Sequence, residues 1–379
     1  MRTLKQTTVI LAIAILLTSF LSATVLAEFN PNPNQGNTTT NATYMSSTNT
    51  AENEASQYGN LINEDYAWTQ WIGGKGARTG FTGGPAPVRP DVLWRTKDIP
   101  EVGTAQNGMI AFSGKLFFVS RISGQQTLNA LHPHTGAILW QTPFPDGMSV
   151  TVAFGASVLY KSDNSHLVVL TNQGLAMFDA NNGNLLWYDT TILPNAAYFR
   201  AVVDNDRTMI FGPIREVPGD PFRSEPFTDV MCGWDLSDPT VDKGDGGRLV
   251  WEYIMDEPGN PLLCCGDGKV FVGSYSSSMI YALDADTGDK IWETARSDAA
   301  GYSAAYEDGK LVVGCQSQWI ICYDAETGDI IWANDDGVAY RAFNVWNGII
   351  AYGKTYWHDL GSGDNGATKC LDLETGEEL

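Results

Sequence analysis

The chain is patterned as short apolar, β-prone runs separated by turns rich in Gly and Asp. Five segments repeat one order: an apolar strand, Asp, two or three turn residues, Gly, a short run, then Trp. They span Leu128–Trp140, Ala176–Trp187, Tyr281–Trp292, Ile321–Trp332 and Lys369–Leu379, the last ending before its Trp. The repeat positions are Gly136 and Trp140; Asp179, Gly183 and Trp187; Asp284, Gly288 and Trp292; Asp324, Gly328 and Trp332; and Asp372 and Gly376. Each segment predicts a β-hairpin. The Asp side chain bonds the turn backbone, and Gly supplies positive φ. A lone hairpin is marginal in water. Each unit must therefore pack on its neighbours, with the Trp as the wedge between units.

A second hairpin precedes most of these segments. Ile110–Phe112 turns through Ser-Gly into Lys115–Val119. Leu262–Cys265 turns through Gly-Asp-Gly into Lys269–Gly273, and Tyr302–Tyr306 turns through Glu-Asp-Gly into Lys310–Gly314. Four strands per unit follow. Successive Trp residues at 94, 140, 187, 251, 292 and 332 are 40 to 47 residues apart, except for one interval of 64. Four strands at that period predict an all-β fold, a β-propeller of four-stranded blades. The long interval predicts a degenerate blade, Met231–Asp235 to Leu249–Trp251, with insertions at about 213–228 and 236–247.

The Ala-x-Asp-x-x-Thr-Gly-x-x-x-Trp pattern resembles the repeat of the pyrroloquinoline quinone (PQQ)-type propellers, and Trp68–Phe81 resembles the segment that opens many of them. The resemblance covers about residues 66–379. That superfamily holds quinoprotein alcohol dehydrogenases, the outer-membrane-assembly lipoprotein propeller and secreted propellers of unassigned role. It implies the fold and leaves two functions open. One is a non-catalytic binding or assembly scaffold at the cell envelope. The other is a dehydrogenase that uses PQQ and calcium to oxidise an alcohol or sugar.

For the enzyme, the resemblance points to Cys264 and Cys265, because quinoprotein alcohol dehydrogenases hold a disulfide between adjacent cysteines against the cofactor. The Asn-Arg-Gly stretch that follows in that family is replaced here by Gly266-Asp-Gly268. Adjacent Cα atoms lie about 3.8 Å apart, below the usual disulfide range, and neighbouring strand side chains point to opposite faces. Two buried thiols are the alternative. No motif here matches the family's Glu, Asn and Asp calcium ligands or its catalytic Asp, so no catalytic residue is carried over.

Other candidates have structural readings beside the chemical ones. Cys322 and Cys370 occupy the slot of Ala130 and Ala282, a small buried strand position. Cys315 lies on the strand expected to pair with that of Cys322, so a cross-strand bridge is an alternative to free thiols. His132 and His134 flank Pro133 in a turn and have no third metal ligand in sequence. The Asp-x-x-Thr-Gly turns lack the further ligands and closing Glu of a calcium loop. The Pro-rich stretch Gly212–Phe227, with Arg215, Phe222 and Phe227, and the cluster Tyr356–Asp359, with Tyr356 and Trp357, break the repeat. Such loops are where ligand contacts are grafted.

Residues 1–27 read as a secretory signal: Arg2 and Lys5, an apolar core from Val9 to Leu21, and Val25-Leu-Ala27 at the cleavage site. The core is too short for a comfortable span, so the mature chain is expected to carry no transmembrane segment, with an uncleaved anchor as the alternative. Residues 28–64 are rich in Asn, Thr and Ser and read as a disordered linker with sequons at Asn37 and Asn41. The propeller occupies 65–379. The net charge of −21 grows more negative by two when the leader leaves. It argues against nucleic acid or an anionic membrane as partner. Protein or envelope polysaccharide partners, a monomer and an extracytoplasmic location are the expectations. The repeat count gives five full blades, a nearly complete sixth and an orphan outer strand at Val92–Thr96, as though cut from a parent of seven or eight blades.

Overall fold

The computed structural model describes residues 92–95, 109–122, 125–149, 158–160, 165–171, 174–189, 201–204, 207–216, 228–255, 261–274, 279–295, 300–315, 319–335, 343–354 and 367–379. They form six antiparallel sheets, each a blade. Blade 1 holds β1 (Ile110–Phe112), β2 (Lys115–Ile122), β3 (Gln125–Leu131) and β4 (Ile138–Pro143). Blade 2 holds β5 (Val158–Tyr160), β6 (His166–Leu170), β7 (Leu175–Asp179) and β8 (Leu185–Asp189). Blade 3 holds β9 (Val202–Asp204), β10 (Met209–Glu216), β11 (Thr228–Asp235) and β12 (Leu249–Ile254). Blade 4 holds β13 (Pro261–Gly266), β14 (Lys269–Ser274), β15 (Met279–Asp284) and β16 (Lys290–Ala295). Blade 5 holds β17 (Ala300–Glu307), β18 (Lys310–Cys315), β19 (Ile320–Asp324) and β20 (Ile330–Asn334). Blade 6 holds β21 (Phe343–Trp346), β22 (Ile349–Lys354) and β23 (Ala367–Asp372).

The first two strands of a blade are joined by the tightest hairpin the sequence can write. Ser113-Gly114, Asp267-Gly268, Asp308-Gly309 and Asn347-Gly348 all have positive φ at both residues, the type I′ geometry that matches strand twist. Between third and fourth strands the register shifts by one residue in each of blades 1 to 5, as at Ala282/Leu283 and Cys322/Tyr323. This bulge re-aims the outer strand.

Middle strands are apolar on both faces because both faces are covered. Five cores join consecutive blades. Phe117 and Ala130 meet Leu167 and Phe178; Met177 and Trp187 meet Ile210 and Trp234; Phe211 and Met231 meet Val270 and Tyr281. Phe271 and Ala282 meet Leu311 and Tyr323, and Val312 and Cys322 meet Val345 and Leu371. Among the described residues, each of these cores joins a blade to its neighbour, the arrangement of a repeat protein.

Val92–Arg95, the described part of the expected orphan strand, pairs with no strand among the described residues. The Trp94 ring seats it on blade 1, its Nε1 donating to the Pro133 carbonyl at 2.8 Å. One expectation needs correction. The first insertion of blade 3 begins later than expected: pairing continues to Glu216↔Thr228, so Pro213–Glu216 is strand. The leader, the linker and Trp68–Phe81 lie outside the described residues.

Candidate functional site

The turns that follow β3, β7, β15, β19 and β23 share one construction. In blade 4, Asp284 Oδ1 accepts the backbone N–H groups of Asp286 and Thr287, both at 2.9 Å. These bonds hold the Asp284 carboxyl below its ordinary pKa, against the opposing effect of burial. Gly288 then turns at φ +77 and forms the floor for a ring. A Cβ there would stand 2.5 Å from Trp251 of the preceding blade. The Trp251 Nε1 donates to the Ala285 carbonyl at 3.0 Å. The same seat recurs for Trp94 on Gly136, Trp140 on Gly183, Trp292 on Gly328 and Trp332 on Gly376. Their Nε1 groups donate to the carbonyls of Pro133, Ala180, Ala325 and Leu373.

A cation reinforces four of these contacts. Lys115 reaches Asn181 at 3.3 Å, Arg207 reaches Asp286 at 3.0 Å, and Lys269 and Lys310 reach Glu326 and Glu374 at 2.7 Å. In each case a residue at or beside the start of a second strand grips the next blade's turn two residues after its Asp. Burial lowers the Lys115 pKa, against the pull of Asp179. For Lys269 burial works against the charge, but the Glu326 carboxylate outweighs it and the pKa is raised.

Blade 3 departs from this pattern. Here a side chain meets the ring of Trp187. The Arg248 guanidinium lies 3.9 Å from its ring centroid, and the Trp187 Nε1 donates to the Pro239 carbonyl at 2.5 Å. Arg248 is 1% exposed. Its Nη1 donates to the carbonyls of Asp235 and Ser237, and its Nη2 to those of Asp238 and Val241. Lys243 pairs with Asp235 at 2.5 Å, and the Gly246 N–H donates to Asp189 of β8 at 2.8 Å. Burial alone would raise the Asp235 pKa, but Lys243 and Ser237 bring it down to about 2. The second insertion is therefore a wrapped, internally bonded loop. Its carboxylates do not converge: among the described residues, no three His, Cys, Asp or Glu side chains are grouped to hold a metal ion.

Cys264 and Cys265 are both buried and not joined in a disulfide, and they point apart. Cys264 packs with Phe271, Trp292 and Leu311 between blades 4 and 5. Cys265 packs with Phe211, Trp251 and Val270 between blades 3 and 4. They do not fit the disulfide that a quinone would rest against. Cys315 and Cys322 form no disulfide either. Val312 is the residue opposite Cys322, which places Cys315 three residues along the ladder and out of bridging range. Burial pushes the Cys322 thiol up to about 12 and raises Cys232 and Cys370 too. None of these three is a thiolate at neutral pH.

Both hairpin turns of a blade lie at one end of its strands, so the connections from second to third strand leave the opposite end. Phe222, Phe227, Tyr356 and Trp357 fall in two such connections, after β10 and after β22, and lie outside the described residues. Arg215 is in β10, where its backbone pairs with Asp229. The sequence did not single out Arg248, Asp189 or the second-strand cations. The basic residue that opens β2, β14 and β18 was a readable signal for the last group.

A family model described as outer membrane protein assembly factor BamB (PQQ_2) matches residues 89–213, 240–335 and 276–379. The chain belongs to this family. Among curated relatives, the dehydrogenase subunit of the quinone alcohol dehydrogenase of Gluconobacter oxydans is 27% identical over 154 residues, 34% of this chain and 20% of that protein. The corresponding subunit of Acetobacter aceti is 26% identical over 162 residues, 30% of this chain and 22% of that protein. The matched stretch spans about a fifth of the length of these relatives. A solved europium-containing methanol dehydrogenase superposes with a TM-score of 0.57 at 13% identity, over 86% of this chain and 79% of that one, a likeness of fold alone. Within the family, then, this member keeps the repeat architecture, with a rebuilt turn in blade 3. Among the described residues, no helix is long and apolar enough to cross a membrane.

Proposed function

We propose that this propeller is a non-catalytic binding or assembly scaffold that works outside the cytoplasm, at the cell envelope. The observation that carries this reading is the placement of Cys264 and Cys265. The pair that would mark a quinone site is divided between two hydrophobic cores. The family model points the same way, since its description is that of an outer membrane assembly factor. The leader-like residues 1–27 and the linker 28–64 support an extracytoplasmic place. The partner is a protein or an envelope polysaccharide, the chain acts as a monomer, and contacts come from the face opposite the Asp-Gly turns. The repeat-breaking stretches with Arg215, Phe222, Phe227, Tyr356 and Trp357 are the candidates, since the connections they belong to leave the strands at that end.

A second reading, a PQQ- and calcium-dependent dehydrogenase of alcohols or sugars, is favoured by the identity to the quinone alcohol dehydrogenase subunits. Equilibrium dialysis of the purified chain against PQQ and calcium, followed by dye-linked oxidation of a panel of alcohols and sugars, separates the two. The scaffold reading expects neither stoichiometric uptake nor turnover. Uptake with turnover overturns it.

A further inference from the structure

The outer strand of a blade pairs on one side, and its other edge is a template for a further strand unless something blunts it. Four of the five outer strands among the described residues are blunted. β4 ends in Pro143. The end of β8 is tied to the blade 3 loop through Asp189 and Gly246. β12 holds Glu252, and β16 holds Lys290 and Glu293, paired at 2.7 Å. β20 has neither a charge nor a Pro. Among the described residues it pairs with β19 alone. Ile330 and Ile331 stand next to each other on it, 53% and 44% exposed, where β16 has Lys290 and Ile291. The strand is also held still. The Trp332 Nε1 and the Asn334 Nδ2 donate to the Leu373 and Gly376 carbonyls of blade 6, both at 2.9 Å. A partner that pairs with a fixed edge loses less to ordering.

Charge selects the occupant. Asp329 and Asp335, both exposed, bracket the strand. From Gln316 to Tyr340 the sequence has five carboxylates and no Lys or Arg. A second copy of the chain, paired antiparallel about Trp332, would put Asp329 of each copy across from Asp335 of the other. Like charges directly across a ladder repel, and each copy brings a net charge of −21. A segment with Lys or Arg at those two places meets carboxylates instead.

We infer that the outer edge of β20 docks an extended apolar segment of a protein partner, flanked at both ends by Lys or Arg, which adds to blade 5 as a further strand. Main-chain hydrogen bonds provide the pairing and Ile330 and Ile331 the apolar contact, the division of labour of strand addition. Asp329 and Asp335 fix the register and speed the encounter. The site shares no residue with Cys264 and Cys265 or with the repeat-breaking stretches, so the outcome of the PQQ dialysis leaves it untouched.

Hydrogen exchange of the full chain, with and without the peptide Lys-Lys-Val-Thr-Val-Thr-Val-Lys-Lys blocked at both ends, tests this. At saturating peptide, amides within 330–335 should exchange about fivefold slower or more, and those of β12 should not change. The same peptide with Glu for each Lys should give no protection. Replacing both exposed side chains, Ile330→Ser with Ile331→Ser, should weaken binding of the labelled Lys peptide about tenfold by fluorescence anisotropy, whereas Val250→Ser on β12 should leave it unchanged. No protection of 330–335 at millimolar Lys peptide overturns the proposal, whatever the variants do. Equal protection by the Glu peptide overturns it, and so does undiminished binding by the double variant. A dimer in sedimentation that the double variant abolishes overturns the choice of occupant in favour of a second copy.

Discussion

In blade 4 the ring of Trp251 lies on Gly288, and in blade 3 the ring of Trp187 lies against the Arg248 guanidinium. The first seat works by absence. Gly has no side chain, the turn is short, and a carboxylate ties it from within. The second works by filling. A buried cation gathers four carbonyls of a longer loop and presents its flat face to the indole. The two seats produce the same blade-to-blade contact, each with a Trp Nε1 donating to a turn carbonyl. What a repeat conserves is thus the contact, and a unit can lose its signature residue when another group closes the same gap. The two also fail differently. The Gly seat is intolerant of bulk, whereas the Arg seat is intolerant of deletion.

The sharpest way to break the comparison is at Arg248. Arg248→Ala leaves the carbonyls of Asp235, Ser237, Asp238 and Val241 without their donor and removes the partner of Trp187. It should cost about 3–5 kcal/mol, the scale for stranding partners of a buried charge, read by denaturant unfolding. Arg248→Lys should recover only a minor part, because an ammonium cannot fork to two pairs of carbonyls or stack on the ring. Recovery to near wild type would show that charge alone holds the loop.

The Gly seat comes next. Gly288→Ala places a Cβ against Trp251 at positive φ and should cost about 2–4 kcal/mol. Gly309→Ala is its control. That residue has φ +74 but open space around the added carbon, so only backbone strain remains, about 1 kcal/mol. Equal losses at the two sites would remove the ring contact from the explanation.

Blade 3 also has its own acid sensitivity. Asp235 titrates at about 2 in the fold, against ~3.9 for a free carboxyl. A depressed value means stability that is present above about pH 4 and is lost as the pH falls toward 2. After allowance for partial exposure, Asp235→Asn should cost about 1–2 kcal/mol at pH 7 and flatten the acid limb of stability against pH.

How far this was legible in the sequence depends on the link considered. The strands and their turns were, because Asp-x-x-Thr-Gly and Asp-Gly fix local geometry with short-range chemistry, and the period of 40 to 47 residues fixed the blade. Leu93-Trp94 was legible as the remnant of an outer strand because its Trp takes the seat on Gly136 that the sister Trp residues take on their glycines. Pro213 marked an insertion by composition, yet it sits in a paired strand opposite Met231. Arg248 was invisible because its partners are carbonyls, which any sequence supplies. The division of Cys264 and Cys265 between two cores was expected from strand alternation. Which cores they enter required the fold.

The smallest effect tests the charges that grip neighbouring turns. Lys310 holds Glu374 of blade 6 at 2.7 Å, and Glu374, by hydrogen bond first, keeps its pKa above the ordinary value. Glu374 is largely exposed, so the pair is worth less than about 1 kcal/mol, and salt weakens it. A raised lysine pKa means the contribution is whole below the unfolded value near ~10.4 and disappears as the pH climbs through the folded one. Lys310→Met should therefore lose a few tenths of a kcal/mol at low salt, almost nothing in 1 M salt, and less and less as the pH climbs through the raised lysine pKa. Blade 6 supplies the comparison within the same molecule. Its counterpart is Ile349, opposite Asp372 as Lys310 is opposite Asp324, so this position tolerates an apolar side chain. A large, salt-independent loss in Lys310→Met would mean that the lysine stem, rather than its charge, packs the interface.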